Sequence, residues 1–331
     1  MFEAPGNFCY LASQESIHVR FRRFLAFCGF VALITCGFGE ALAQSTGKWV
    51  TRSPMPSSRT EVAAVEAGGK VYVIGGFGQS GDLVEEYDPV KDSWRRRASL
   101  PQPLHHVGAA AVAEKIYVLG GFTPGWAPVN TVYEYDPSID QWRTRAPMPT
   151  ARGALAAGVI RAKIYAVGGV GADRSNTGAN EEYDPATDRW TKRALMPSLR
   201  DHLAVGVVSG KLYAIGGRIN GNYARNRKFN EEYNPATNQW RSRAPIPTAR
   251  SGIAAATLGS QIFVFGGESL FGTFNENESY DPAKDSWTAW APMPTARHGL
   301  GAVVVGQTIY VISGGPKPGG SFSSVNEAFT P

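Results

Sequence analysis

Six near-copies of one motif run through this chain. Trp49, Trp94, Trp142, Trp190, Trp240 and Trp287 recur at intervals of 45 to 50 residues. A glycine pair follows each of the first five by 26 residues, from Gly75-Gly76 to Gly266-Gly267, and Ser313-Gly314 stands there after the sixth. Tyr-Asp-Pro lies seven residues before the next Trp, as in Tyr87-Asp88-Pro89; Asn234 replaces Asp once, and Phe329-Thr330-Pro331 ends the series. Repeats of this length build helical solenoids or propeller blades. With 38 Gly and 22 Pro among 331 residues, the punctuation is too dense for helices and fits short strands joined by turns.

Each unit divides into four strand-like pieces. In the first, residues 61–66 are mostly small or apolar, residues 70–74 alternate, residues 83–87 lead into the Asp-Pro turn, and residues 93–97 carry the Trp. This predicts an all-β, six-bladed propeller over residues 44–331, with four antiparallel strands per blade. First strands rich in Ala and Gly suit a crowded axis. Fourth strands bearing Arg or Lys suit an exposed rim, where charge discourages edge pairing. Glu86, Glu134, Glu182 and Glu232 precede the Tyr of four units, and Arg97, Arg145, Arg193 and Arg243 follow their Trp by three; in the fifth unit both change, to Ser279 and Trp290. We expect a diagonal, exposed ion pair contributing at most ~1 kcal/mol. The sixth unit has no Trp strand of its own, so residues 48–52 are expected to close it.

An opening Arg (Arg59, Arg152, Arg200, Arg250 and Arg297, with Leu104 in the second unit), then Gly-Gly, Tyr-Asp-Pro and Trp, resembles the kelch repeat over about 285 residues. The resemblance implies a propeller closed by its N-terminal strand. It also brings two activities into view: the copper-radical galactose oxidases, and exported six-bladed N-acetylneuraminate epimerases, which this chain resembles in blade number and in its N-terminus.

That N-terminus has Arg20, Arg22 and Arg23, then an apolar run over residues 24–39, then Ala41-Leu42-Ala43. The pattern predicts a signal peptide, residues 1–43, cleaved after Ala43, and a secreted or periplasmic location. Sixteen apolar-rich residues are short of the ~20 a membrane span needs, so no integral span is expected after cleavage. Cys9, Cys28 and Cys36 all fall in this segment, which leaves residues 44–331 without a thiol. Disulfides, thiolate chemistry and the Tyr–Cys cofactor of the copper-radical oxidases are thereby excluded.

Length varies between units in one interval alone, from the first Gly to the Tyr, which runs from 12 to 17 residues. This interval holds the loop between strands two and three, on the face where each unit also enters its first strand. Binding is expected on that face. Its candidate ligand-binding residues are Arg218, Arg225, Tyr223, His202, His106, Glu61, Glu268, Phe122 and Trp126. Arg218 and Arg225 are expected to reach over the channel mouth and hold an anionic group, above a floor of His202 and His106. His105 and His298 also open first strands. Residues two blades apart are not expected to converge on one ion, so neither a metal nor a cofactor is assigned. Basic residues such as Arg95-Arg96-Arg97 circle the rim as a belt rather than a patch, which argues against nucleic acid despite a net charge of +5. The sequence thus reads as an exported binding module for a protein or glycan ligand. A sugar epimerase or mutarotase of the N-acetylneuraminate epimerase type is the alternative that the kelch resemblance implies.

Overall fold

The computed structural model describes residues 47–331 except Gln79; the expected signal peptide lies outside the described residues. Six four-stranded antiparallel sheets are arranged as blades. Blade one runs outward through Ala63–Ala67, Lys70–Ile74, Val84–Asp88 and Ser93–Arg96, and the next four blades repeat that order. Blade six takes Gly301–Val305, Thr308–Ile312 and Asn326–Thr330 from the end of the chain and Lys48–Thr51 from its start. The expected closure is therefore present. Trp49 pairs with Phe329, and its Nε1 donates to the Ala291 carbonyl at 2.9 Å. Every other blade makes the same bond to the blade before it, as Trp142 does to Ala98. Among the described residues there is no helix, and so none long and apolar enough to cross a membrane.

Packing explains the composition of each strand. Innermost strands of neighbouring blades touch around the axis, and small residues let them approach. A Cβ on Gly158 would stand 2.8 Å from Val205 of the next blade, too close for carbon atoms. Further out, Tyr87 lies opposite Trp94 with ring centroids 4.9 Å apart, and its hydroxyl donates to Asp92 at 2.5 Å. The diagonal Glu–Arg pairs form as expected, for example Glu182 with Arg193 at 2.8 Å. Their environment differs from expectation: Glu86, Glu134, Glu182 and Glu232 are buried beneath the arginines rather than exposed. In blade five Trp290 Nε1 donates to Ser279 instead, and Phe263 replaces the tyrosine that bonds the glutamate in blades three and four.

A second set of buried charges braces the blades where the chain enters them. The opening arginines are fully buried, and each pairs with a glutamate of its own third strand: Arg59 with Glu85, Arg152 with Glu181, Arg200 with Glu231, Arg250 with Glu278 and Arg297 with Glu327. The same guanidinium donates to the first carbonyl of the Gly-Gly turn, as Arg200 does to Gly216 at 2.7 Å. The backbone carbonyl of the arginine accepts from the second glycine of the preceding blade, as Arg200 does from Gly169 at 3.0 Å. In blade two, Leu104 and Tyr133 occupy the places of the Arg and the Glu, so the pair is exchanged whole for apolar bulk. That is the exchange a buried ion pair tolerates.

Candidate functional site

The third residue of each unit forms a ring about the axis: Glu61, His106, Ala154, His202, Gly252 and Gly299. All six have left-handed backbone, with φ between 52° and 64°. They are linked in sequence by backbone bonds, His106 N–H to Glu61, Ala154 to His106, His202 to Ala154, Gly252 to His202 and Gly299 to Gly252, and Val62 N–H closes the circle onto Gly299. Glycine adopts this conformation without penalty, whereas other residues lose roughly 1 kcal/mol or more. Blades five and six use glycine. Blades one, two and four carry Glu and His there despite the strain, a pattern expected of function rather than folding.

Two further rings sit above it. The second residue of each unit (Thr60, His105, Gly153, Asp201, Ser251, His298) bridges to the residue after the glycine pair (Phe77, Phe122, Val170, Arg218, Glu268, Gly315). These pairings confirm that the variable loops and the strand entries share one face. Together the rings line a cleft of about 1090 Å³. Below, Val62, Val107, Leu155, Leu203, Ile253 and Leu300 narrow the axis to a space of about 80 Å³.

One side of the cleft is aromatic. Phe77 stacks on His105 with centroids 3.8 Å apart, and Trp126, half exposed, lies 5.3 Å from Phe77 and 5.5 Å from Phe122. Burial lowers the His105 pKa to about 4, and burial lowers that of His106 well below its ordinary value, so both rings are neutral near pH 7.

The other side is charged. Arg218, buried, pairs with Glu268 at 2.5 Å and approaches Asp201 at 3.3 Å. Its Nη2 donates to His202 Nε2 at 2.7 Å, and His202 Nδ1 donates to Asp201 at 2.5 Å. Burial alone would raise the Asp201 pKa, but His202, Asn176 and Arg218 outweigh it and hold the carboxyl at about 2. Burial likewise opposes ionisation of Glu268, and its neighbours His298 and Arg218 with the Gly319 N–H overcome it and lower its pKa. Glu61 faces His106 Nε2 at 3.4 Å and His298 Nε2 at 3.6 Å.

The structure thus brings Glu61, His106, His202, Arg218, Glu268, Phe122, Trp126 and Tyr223 to one cleft. Tyr223 lies under the Arg218 guanidinium, 5.1 Å from ring centroid to Cζ. Arg225 is exposed on the hairpin strand Asn222–Asn226 and is not among the residues lining the cleft. Arg218 does reach the axis, but its charge is engaged by Glu268 and Asp201 rather than left free for an anion. Residues two blades apart do come close: the His106 and His202 rings lie 4.9 Å apart, because the ring of backbone bonds draws the strand entries together. Asp201 went unnoticed in the sequence. Aligning the units would have exposed it, since its column differs in nearly every unit while its neighbour Arg200 repeats.

A closed ring of six four-stranded blades with these repeated tyrosine, tryptophan and glycine contacts defines the kelch class of propellers. The chain belongs to that family: the KLHDC2/KLHL20/DRC7 Kelch-repeats domain matches residues 42–217, and the Kelch motif matches residues 199–247 and 249–294. Among solved structures, one described as "Structure of YjhT" superposes with a TM-score of 0.72 at 17% identity, covering 82% of this chain and 95% of that one. At that identity the likeness is one of fold. No curated protein matches the sequence.

Proposed function

We propose that the chain is an exported carbohydrate-binding propeller that takes a sugar-sized polar ligand in its axial cleft. The observation that carries this reading is the placement of Glu61, His106 and His202 on the strained axial ring. A protein-docking face has no need of ionisable groups at the bottom of a funnel. A sugar does, because its hydroxyls require convergent donors and acceptors, while its C–H faces pack on aromatic rings such as Trp126. Export rests on the basic and apolar pattern before Ala43, and intact mass of secreted protein beginning at Gln44 is its test.

Binding is tested by calorimetry against neutral and acidic monosaccharides. Trp126→Ala and His202→Gly should each weaken binding at least tenfold, and Arg96→Ala on the rim should leave it unchanged. Equal affinities for all three variants would reject the cleft.

A second reading is favoured by Glu61 standing between two imidazole nitrogens at 3.4 and 3.6 Å. Such a cluster can take the proton from an anomeric hydroxyl while returning one to the ring oxygen, so the ring C–O bond opens and recloses on the other face without net proton change. This is the epimerase alternative. Accelerated exchange of sialic-acid anomers in NMR, lost in Glu61→Gln, would support it; exchange at the solvent rate would leave a binding module.

A further inference from the structure

We infer that Glu61, His106 and His202 form a binding site for one first-row divalent cation of the zinc class at the base of the cleft. The argument starts from where the imidazole lone pairs point. His105 Nε2 lies 3.0 Å from the Thr123 carbonyl, which can only accept, so this nitrogen carries the proton. His105 Nδ1 is therefore the acceptor in its 2.6 Å contact with His106 Nδ1, and His106 donates. The His106 lone pair is left on Nε2, 3.4 Å from Glu61 Oε2. His202 is fixed in the same sense: Nδ1 donates to Asp201, and Nε2 accepts from Arg218.

Two lone-pair nitrogens and a carboxylate thus meet at the axis with no donor among the three. One ligand atom of each lies within 4.8 Å of the other two. Metal bonds of about 2.1 Å in a tetrahedral site set ligand atoms about 3.4 Å apart. The His106–Glu61 separation of 3.4 Å matches that edge and is long for a hydrogen bond. Each histidine also has behind it the kind of partner that orients a metal ligand: Asp201 behind His202, and His105 with Thr123 behind His106. Charge points the same way. Among the described residues, Asp201 and Glu268 share the Arg218 guanidinium, whereas the ion-pair contacts of Glu61 are only to the imidazoles of His106 and His298. Two imidazoles and one carboxylate suit zinc and its neighbours, whereas magnesium and calcium prefer oxygen alone. The ion would displace the Arg218–His202 bond and leave Arg218 its contacts with Glu268 and Asp201.

This site does not depend on any sugar, so it is tested with metal alone. Protein stripped by a chelator is titrated with Zn²⁺ by calorimetry and with Co²⁺ by visible absorption, folding of every variant being checked by its melting curve. We expect one Zn²⁺ per chain, tetrahedral Co²⁺ bands, and no competition from Mg²⁺. His106→Gln and the near-isosteric Glu61→Gln should bind Zn²⁺ at least 100-fold more weakly, and Asp201→Asn and His105→Ala about 10- to 100-fold more weakly. Arg218→Ala should bind more tightly, the opposite of its effect on an anion. Folded protein that takes up no Zn²⁺, or Zn²⁺ binding unchanged in either Glu61→Gln or His106→Gln, overturns the assignment.

Discussion

This propeller buries charge in two places, at the entry of its blades and at its axis. At the blade entries, five arginine–glutamate pairs repeat the same contacts, and blade two replaces both partners together with Leu104 and Tyr133. At the axis, Asp201, His202, Arg218, Glu268 and Glu61 occupy places where several other blades carry uncharged residues such as glycine, alanine, threonine, valine or phenylalanine. Burial and ion pairing are alike in both regions. Repetition is what separates them: the first set braces a blade internally wherever it occurs, and the second is dispensable to a blade.

Removing the closing strand should have the largest effect on stability. A chain beginning at Pro54 loses the Trp49 contacts and bares the Asn326–Thr330 edge, which should cost more than the ~3–5 kcal/mol typical of a single large buried side chain. An unchanged melting temperature would refute closure. Next comes a single buried arginine–glutamate pair. Arg200→Leu leaves Glu231 buried without its partner and should destabilise by about 3–5 kcal/mol in denaturant titration. Adding Glu231→Tyr, the combination blade two already uses, should restore most of that loss. Failure to restore would mean that the pair is not an exchangeable unit.

A smaller effect is expected in acid. The Tyr183 hydroxyl, together with the Ala146 N–H, holds the Asp188 pKa below its ordinary value. Because the folded pKa is depressed, this contribution is present above the unfolded value near ~4 and is lost as pH falls through the folded value. Blade four has Asn238 in the same place, bonded to Tyr233 at 2.8 Å. Asp188→Asn should therefore fold normally at pH 7 and flatten the dependence of stability on pH below ~4. An unaltered slope would assign acid sensitivity elsewhere. The smallest effect sharpens the comparison most. His202→Gly should change stability by no more than ~1 kcal/mol, since glycine relieves the left-handed strain, while abolishing ligand or metal binding. A large loss of stability would make the axial charges structural after all.

Legibility in the sequence followed the same division. Blade number, closure by residues 48–52, the Tyr–Trp pairs and the paired change at Ser279 and Trp290 could be read because each is stated several times over. The buried Arg–Glu pairs were half visible: the arginines stood out, but three of their five glutamates sit beside a second repeated glutamate, which masked the column. At the axis no repetition helps. His106 and His202 could be placed on the right face, yet their meeting depends on the radius of the backbone ring, which spacing along the chain does not express. Arg225 was drawn in by its charge, although the hairpin carrying it turns that side chain to solvent. Asp201, hidden beside a structural arginine, needed its partners His202 and Arg218 to be noticed.

The axial ring has a consequence for how such a protein can change. Around the axis its six positions spell Glu, His, Ala, His, Gly, Gly, one letter from each blade, and the backbone bonds joining them require no particular side chain. Five of these letters can therefore be rewritten by one codon without a clash in the blade beneath; Gly299 is the exception, because a Cβ there would run into Thr60 and the backbone nitrogen of Glu61. Five such choices at a common focus give a lineage of such propellers a large set of chemistries within single-substitution reach, while everything outside the ring is inherited unaltered.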